Sequence, residues 1–207
     1  MSHPLPQDHA YTWEAYLRLE QNSEERYEYH DGWMIALNDE SNLHNHLVGN
    51  LITVLHPVVR EVGGKLYSQT VKLFRHRSDR YLYPDLMVTC SPLDLQTQNG
   101  VRSPQLVVEV LSPRSAHGDQ TFKLREYFKL PSLRHYLVVA QEMCLVQHFY
   151  READEDWRFR LYDDFEQTIA LPAWDLDLPL REIYADVNVD PAPDQVAEPL
   201  PTYPDAE

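Results

Sequence analysis

The run Leu106-Val107-Val108-Glu109-Val110-Leu111 constrains this chain more than any other stretch. A near-continuous apolar segment of that length reads as a strand buried on both faces, which calls for a sheet covered by helices on either side. Within it stands a single carboxylate. A charge in the middle of a buried strand is costly unless it is paired or coordinated. Taken alone, Glu109 leaves three readings open: an ion pair with a core Arg or Lys, a strand end that reaches solvent, or a ligand in a cation site.

The surrounding pattern supports such a sheet. Tyr11 to Gln21 has helical spacing, with Thr12 placed to cap it. Asp31-Gly32 between two β-rich runs predicts a hairpin. Asn42 to Val62 is the longest helical pattern; Pro57 inside it predicts a kink or an early end, and Gly63-Gly64 closes it. Leu66 to Phe74 and Tyr81 to Cys90 alternate as strands, joined by a basic turn, and residues 91–104 read as a loop. Asp119 to Leu130 is a helix stopped at Pro131. His135 to Ala140, Leu145 to Arg151 and Trp157 to Tyr162 are three further strands. The expected class is α/β (α+β), a central mixed β-sheet flanked by helices. It spans residues 11–189, between a polar arm at 1–10 and a Pro- and acid-rich tail at 190–207 that is expected to be disordered. A length of 207 residues, 43% of them hydrophobic, suits one such domain. No apolar run is long enough to span a membrane and the N-terminus lacks a signal-peptide pattern, so a cytoplasmic location is expected. Cys90 and Cys144 lie outside any metal-ligand spacing and are expected as reduced thiols.

Charge argues against a general nucleic-acid binder. The formal net charge is −15, whereas binding to phosphates is driven by Lys and Arg. The acid is uneven, however. Residues 152–207 are rich in carboxylates, while residues 60–80 hold Arg60, Lys65, Lys72, Arg75, Arg77 and Arg80, enough for a local basic surface.

Several residues join Glu109 as candidates. Asp85 follows Pro84 at the start of the apolar strand Leu86-Met87-Val88, so it marks a strand beginning or an edge. If its strand neighbours that of Glu109, two carboxylates lie close together, and a Mg²⁺ or Mn²⁺ ion would relieve their repulsion. Glu28 alternates with Tyr27 and Tyr29 and is either a surface strand residue or a third acid near the ion. His44 opens the long helix, where an imidazole can touch a phosphate or simply make a local hydrogen bond. His46, two residues on, points elsewhere on a helix, so a two-histidine metal site is not expected. Asp119, Lys123 and Tyr127 share one helix face; the pair is a solvated i,i+4 contact or presents a lysine that orients water and stabilises negative charge. Lys72 is a further candidate for substrate contact, expected to face outward. No phosphate-binding glycine loop, serine elbow or HExxH zinc motif is present.

The ordered motifs Arg26-Tyr-Glu28-Tyr-His-Asp-Gly32, Ser41-Asn-Leu-His44, Tyr83-Pro84-Asp85-Leu-Met-Val, Glu109-Val-Leu-Ser-Pro and Asp119-Gln-Thr-Phe-Lys123 resemble the Uma-type restriction-endonuclease family of the PD-(D/E)XK nuclease superfamily. The likeness runs from about Thr12 to Tyr184. It implies a restriction-endonuclease-like core, Asp85 and Glu109 as acids holding Mg²⁺ or Mn²⁺, and Glu28 as a supporting acid. It also implies DNA as the substrate, a 5′-phosphate product and, often, a homodimer. The superfamily pattern places a lysine two residues after the second acid, where this chain has Leu111, so the lysine role is assigned to Lys123. Without an amine at the site, the same fold is expected to bind metal or nucleic acid, or to dimerise, without cutting.

Overall fold

The computed structural model describes residues 11–23, 27–30, 32–36, 40–74, 81–98, 100–111, 119–152 and 156–191. The polar arm, the basic turn with Arg75, Arg77 and Arg80, and the tail from residue 192 onward lie outside the described residues. The first helix, α1 (Trp13–Asn22), starts where expected: Thr12 accepts a hydrogen bond from the Ala15 N–H at 3.2 Å. An antiparallel hairpin follows, β1 (Tyr27–His30) and β2 (Trp33–Ala36). The long helix α2 (Asn42–Glu61) begins on Ser41, whose hydroxyl accepts from the His44 N–H at 3.0 Å. Its buried stripe is His44, Leu47, Val48, Leu51, Leu55 and Val59, the spacing of one helical face. Pro57 does not end the helix early. It lies on the exposed side, where the carbonyl that loses its amide partner is open to water. The end comes at Gly63, whose φ of 72° only glycine adopts at low cost.

Each of the next two expected strands is broken in two. The first gives β3 (Lys65–Ser68) and β4 (Leu73–Phe74), separated at Gln69, which has a φ of 45°. The second gives β5 (Tyr81–Leu82) and β6 (Leu86–Thr89), separated at Pro84-Asp85, because proline has no amide to place in a ladder. At both breaks the chain crosses from one sheet to another, and the crossings touch: the Gln69 N–H donates to the Asp85 carbonyl at 3.1 Å.

Beyond β6 the expected loop contains a short helix, α3 (Pro92–Gln96), and then come β7 (Leu106–Leu111), α4 (Asp119–Phe128) and β8 (His135–Ala140). The remaining elements are β9 (Met143–Cys144), β10 (Val146–Arg151), β11 (Trp157–Tyr162), β12 (Thr168–Leu171), a 3-10 turn (Pro172–Trp174), β13 (Leu176–Pro179), α5 (Leu180–Ile183) and β14 (Asp190–Pro191). The main sheet has the order β11-β10-β8-β7-β6-β3 and a smaller one the order β2-β1-β5-β4. In the main sheet β7 and β8 run parallel and the other pairs antiparallel. It is therefore the mixed sheet expected, and its one parallel pair requires a crossover, which α4 supplies.

Strand alternation sorts the core into two layers. Leu86, Val108, Val110, Leu137 and Val139 pack with the buried stripe of α2. Met87, Val107, Tyr136 and Val138 pack on the other face with Leu124 and Tyr127 of α4. Tyr16 of α1 joins Tyr27, Tyr29 and Met34 in a third cluster. Among the described residues no helix is long and apolar enough to cross a membrane, and both cysteines are free thiols.

The segment 91–104 is pinned by Asp94, which is buried and accepts from the Thr89 hydroxyl at 2.9 Å and from the N–H groups of Arg102 at 3.0 Å and Ser103 at 2.8 Å. Asp94→Ala leaves those donors without a partner and is expected to cost about 3 kcal/mol, read from urea denaturation with an unchanged m-value.

Candidate functional site

Main-chain register brings the two principal acids together. β6 and β7 are antiparallel with Leu86 opposite Val108, so one step further along places Asp85 opposite Glu109. Glu109 shares a sheet face with Val107, the face covered by α4, and that helix presents Lys123 and Tyr127 one turn apart. Glu28 comes from β1 of the smaller sheet. The site thus sits where the two sheets meet.

Every acid here is held by specific donors. Lys123 Nζ lies 3.3 Å from Glu28 Oε1 and 3.3 Å from Glu109 Oε2, so one ammonium bridges two carboxylates from different sheets. The Tyr127 hydroxyl donates to Glu109 Oε1 at 2.5 Å. Glu28 Oε1 also accepts from the Tyr83 N–H at 3.1 Å. Asp85 Oδ2 accepts from the Val110 N–H at 2.7 Å, so a side chain satisfies the amide of β7 beyond the point where β6 begins. Asp85 Oδ1 lies 3.1 Å from His44 Nε2, and that nitrogen is 3.7 Å from Glu40 Oε2. A carboxylate has about four lone-pair sites, so Asp85 and Glu109 keep capacity for another ligand.

The electrostatics follow from burial and crowding. Glu28, Glu109 and Lys123 are 1%, 2% and 6% exposed. Burial, with the nearby charges of Asp85 and Glu28, pushes the Glu109 carboxyl up to about 8, against the opposing pull of Lys123 and the Tyr127 hydrogen bond. Burial alone would lower the His44 imidazole. The hydrogen bond and charge of Asp85, with Glu40, overcome it and raise its pKa. Burial likewise raises Glu40. Burial and the Glu109 charge push the Tyr127 hydroxyl well above its ordinary value, so it stays a donor.

One group among the described residues has metal-ligand spacing: Glu40, His44 and Asp85 each place a donor atom within 4.8 Å of the others. His44 is buried, and its Nδ1 has no hydrogen-bond partner among the described residues. Glu109, expected as the second metal acid, is not part of this trio; its neighbours are Lys123 and Tyr127. Lys72 is not brought to the site. It is half-buried rather than outward-facing, ion-paired with Glu20, which also accepts from the Tyr83 and Tyr16 hydroxyls. His46 is exposed, and the side chain of Asp119 lies outside the described residues. Three contributors escaped the sequence reading as site residues. Glu40 lies just ahead of the Ser41 cap, outside the helix that carries His44, and Tyr127 stands four residues after Lys123, a spacing that puts both on one helical face. Gln141 carried no local signal. It accepts from the Ser41 hydroxyl at 3.1 Å and donates to the Val110 carbonyl at 3.4 Å, tying the start of α2 to β7.

Comparison with known proteins bears on the family and the fold. The Uma2 family model, described as "Putative restriction endonuclease", matches residues 13–181. The uncharacterized protein slr1290 of Synechocystis is 31% identical over 144 residues, covering 70% of this chain and 76% of that protein. The uncharacterized protein sll1609 of the same organism is 30% identical over 144 residues, covering 69% and 81%. Among solved structures, one titled as a putative nuclease belonging to DUF820 from Anabaena variabilis superposes with a TM-score of 0.68 at 16% identity, covering 84% of this chain and 97% of that one. At that identity the likeness speaks for the fold.

The raised carboxyl has a measurable consequence. Between its unfolded value near 4.5 and its folded value of about 8, Glu109 holds a proton in the native state that the unfolded chain releases. The native form binds more protons there, so this group's contribution to stability falls as pH rises through the window. In chelator-treated protein, Glu109→Gln is expected to gain stability relative to the parent from pH 5 to pH 8, seen as a narrowing or reversal of the difference in urea midpoints. A constant difference across that range would contradict the burial of this charge.

Proposed function

The chain belongs to the Uma2 putative restriction endonuclease family, and from that premise we propose that it is a Mg²⁺- or Mn²⁺-dependent endodeoxyribonuclease. The observation that carries this reading is the bridge from Lys123 Nζ to Glu28 and Glu109, 3.3 Å to each. It supplies an amine beside the acids even though Leu111 occupies the position where the superfamily carries its lysine.

The donor set suits a divalent cation. Asp85 and Glu40 offer carboxylate oxygens and His44 an imidazole nitrogen within 4.8 Å of one another, and Glu109 is the acid opposite Asp85 in the strand register. An imidazole among oxygens weights the preference from Mg²⁺ toward Mn²⁺. When bound, such an ion contributes Lewis acidity toward a phosphoryl oxygen and makes water more acidic. The chain's own residues do the rest. The Val110 N–H and His44 fix the two Asp85 oxygens. Tyr127 orients Glu109, whose carboxylate, once ionised, suits the role of base toward water. Lys123, held as an ammonium by two carboxylates, stabilises the negative charge that develops on the phosphoryl group.

The net charge of −15 favours a second reading, in which the same fold binds metal or nucleic acid, or dimerises, without cutting. Plasmid nicking separates the two. With Mn²⁺ or Mg²⁺, the parent protein is expected to nick supercoiled DNA. Asp85→Ala and Lys123→Met are each expected to lower the rate about 100-fold or more, with folding checked by circular dichroism. Equal nicking by parent and Asp85→Ala would mean contamination and remove the nuclease reading. No nicking by a metal-loaded, folded parent would favour the second.

A further inference from the structure

A cleft of about 540 Å³ is lined by Arg134, His135, His148, Tyr150, Arg160 and Tyr162, among others. Alternation along β8 puts His135 on the face of Leu137 and Val139, opposite to that of Glu109. Register separates the two sites lengthwise as well: His135 pairs with Leu106, three residues before Glu109 along β7, which is about 10 Å. The acidic junction and this cleft are therefore separate.

The cleft is unusual for so acidic a chain. Three of its 18 basic residues, Arg134, Arg151 and Arg160, line it. Arg151 spends its guanidinium on the Leu130, Pro131 and Leu133 carbonyls. Glu152, the carboxylate in the lining, is ion-paired with Arg158. Arg160 stacks 4.8 Å over the Tyr162 ring, which holds the guanidinium at the cleft wall. Behind the arginines, His135 and His148 are 5% and 2% exposed and share a hydrogen bond of 3.0 Å between Nδ1 and Nε2. Burial, with Arg134 beside His135 and with His135 and Arg160 beside His148, lowers them to about 4 and about 3, so both are neutral at physiological pH. A neutral pair joined by one hydrogen bond retains one donor and one acceptor. Among the described residues His148 Nδ1 has no partner, and neither does the buried indole N–H of Trp174, whose ring is 6.0 Å from that of His135. An unsatisfied buried polar atom costs about 1–3 kcal/mol, and His148 is part of the cleft lining.

We propose that this cleft binds a nucleoside monophosphate, with its phosphate at the exposed Arg160 guanidinium and its base against the half-buried Tyr150, within hydrogen-bonding reach of the histidine pair. The volume suits a ligand of that size. Guanidinium groups match phosphate oxygens. Rigid aromatic rings accept a base by stacking. The assignment does not depend on the nuclease reading, because it uses none of the residues at the acidic junction.

Calorimetric titration of the full-length, metal-free protein in chelator tests it, with adenosine monophosphate, thymidine monophosphate and inorganic phosphate as probes. The expected result is saturable binding of a nucleotide, at least tenfold tighter than that of phosphate. Arg160→Gln, at an exposed position, should weaken it about tenfold, while Glu109→Gln and Arg181→Gln, both outside the lining, leave it unchanged. Absence of nucleotide binding at millimolar concentration would overturn the proposal, as would binding that survives Arg160→Gln intact. Loss of binding in Glu109→Gln would assign the nucleotide to the acidic junction instead. Equal affinity for phosphate and nucleotide would overturn the nucleoside assignment.

Discussion

Lys123 between Glu28 and Glu109 is the interaction on which the rest of the molecule turns. Isolated carboxylates at 1% and 2% exposure are not tolerated in a core; they protonate, pair, or force the fold open. A single ammonium 3.3 Å from each makes their burial compatible with a packed sheet. The price is that α4 must lie across β7 at this level, with Lys123 and Tyr127 directed at the sheet. The topology already demands a crossover there, because β7 and β8 are parallel. One helix thus closes the parallel pair and supplies the counter-charge.

Much of this was legible beforehand, for a physical reason. A carboxylate in an apolar strand has few acceptable explanations, so Glu109 announced itself, and the hairpin at Gly32, the long helix and the order of strands carried local turn and period signals. The mixed sheet flanked by helices followed from them. What was not legible came from contacts made by distance rather than by neighbours. The division of Leu66–Phe74 and Tyr81–Cys90 between two sheets depends on a tertiary crossing that no local propensity encodes, although Pro84 hinted at one break. Lys72 looked like a solvent-facing lysine because its partner, Glu20, lies far away in sequence. Gln141 was invisible for the same reason. The cap at Thr12 was written plainly by residue type; the cap at Ser41 went unread, and it matters because it sets the start of the helix that carries His44 beside Asp85.

His44 and the pair His135 and His148 show how environment separates one residue type into different roles. All three are buried. His44 faces carboxylates, which favour its charged form, while the other two face each other and arginines, which favour the neutral one. Two regions along the main sheet therefore differ in electrostatic character, one gathering carboxylates and the other arginines, although the chain as a whole is strongly acidic.

The amides of Tyr83 and Val110 have a property of their own. Neither donates to a carbonyl in a strand ladder in the usual way; each is held by a carboxylate, Glu28 for the first and Asp85 for the second. Their resistance to hydrogen exchange is consequently tied to the placement of a side chain, whereas that of neighbouring strand amides is tied to opening of the sheet. Rotation of either carboxylate would release its amide without any break in the ladders around it. The junction between the sheets would then loosen at its acid-held stitches while each sheet kept its own hydrogen bonds.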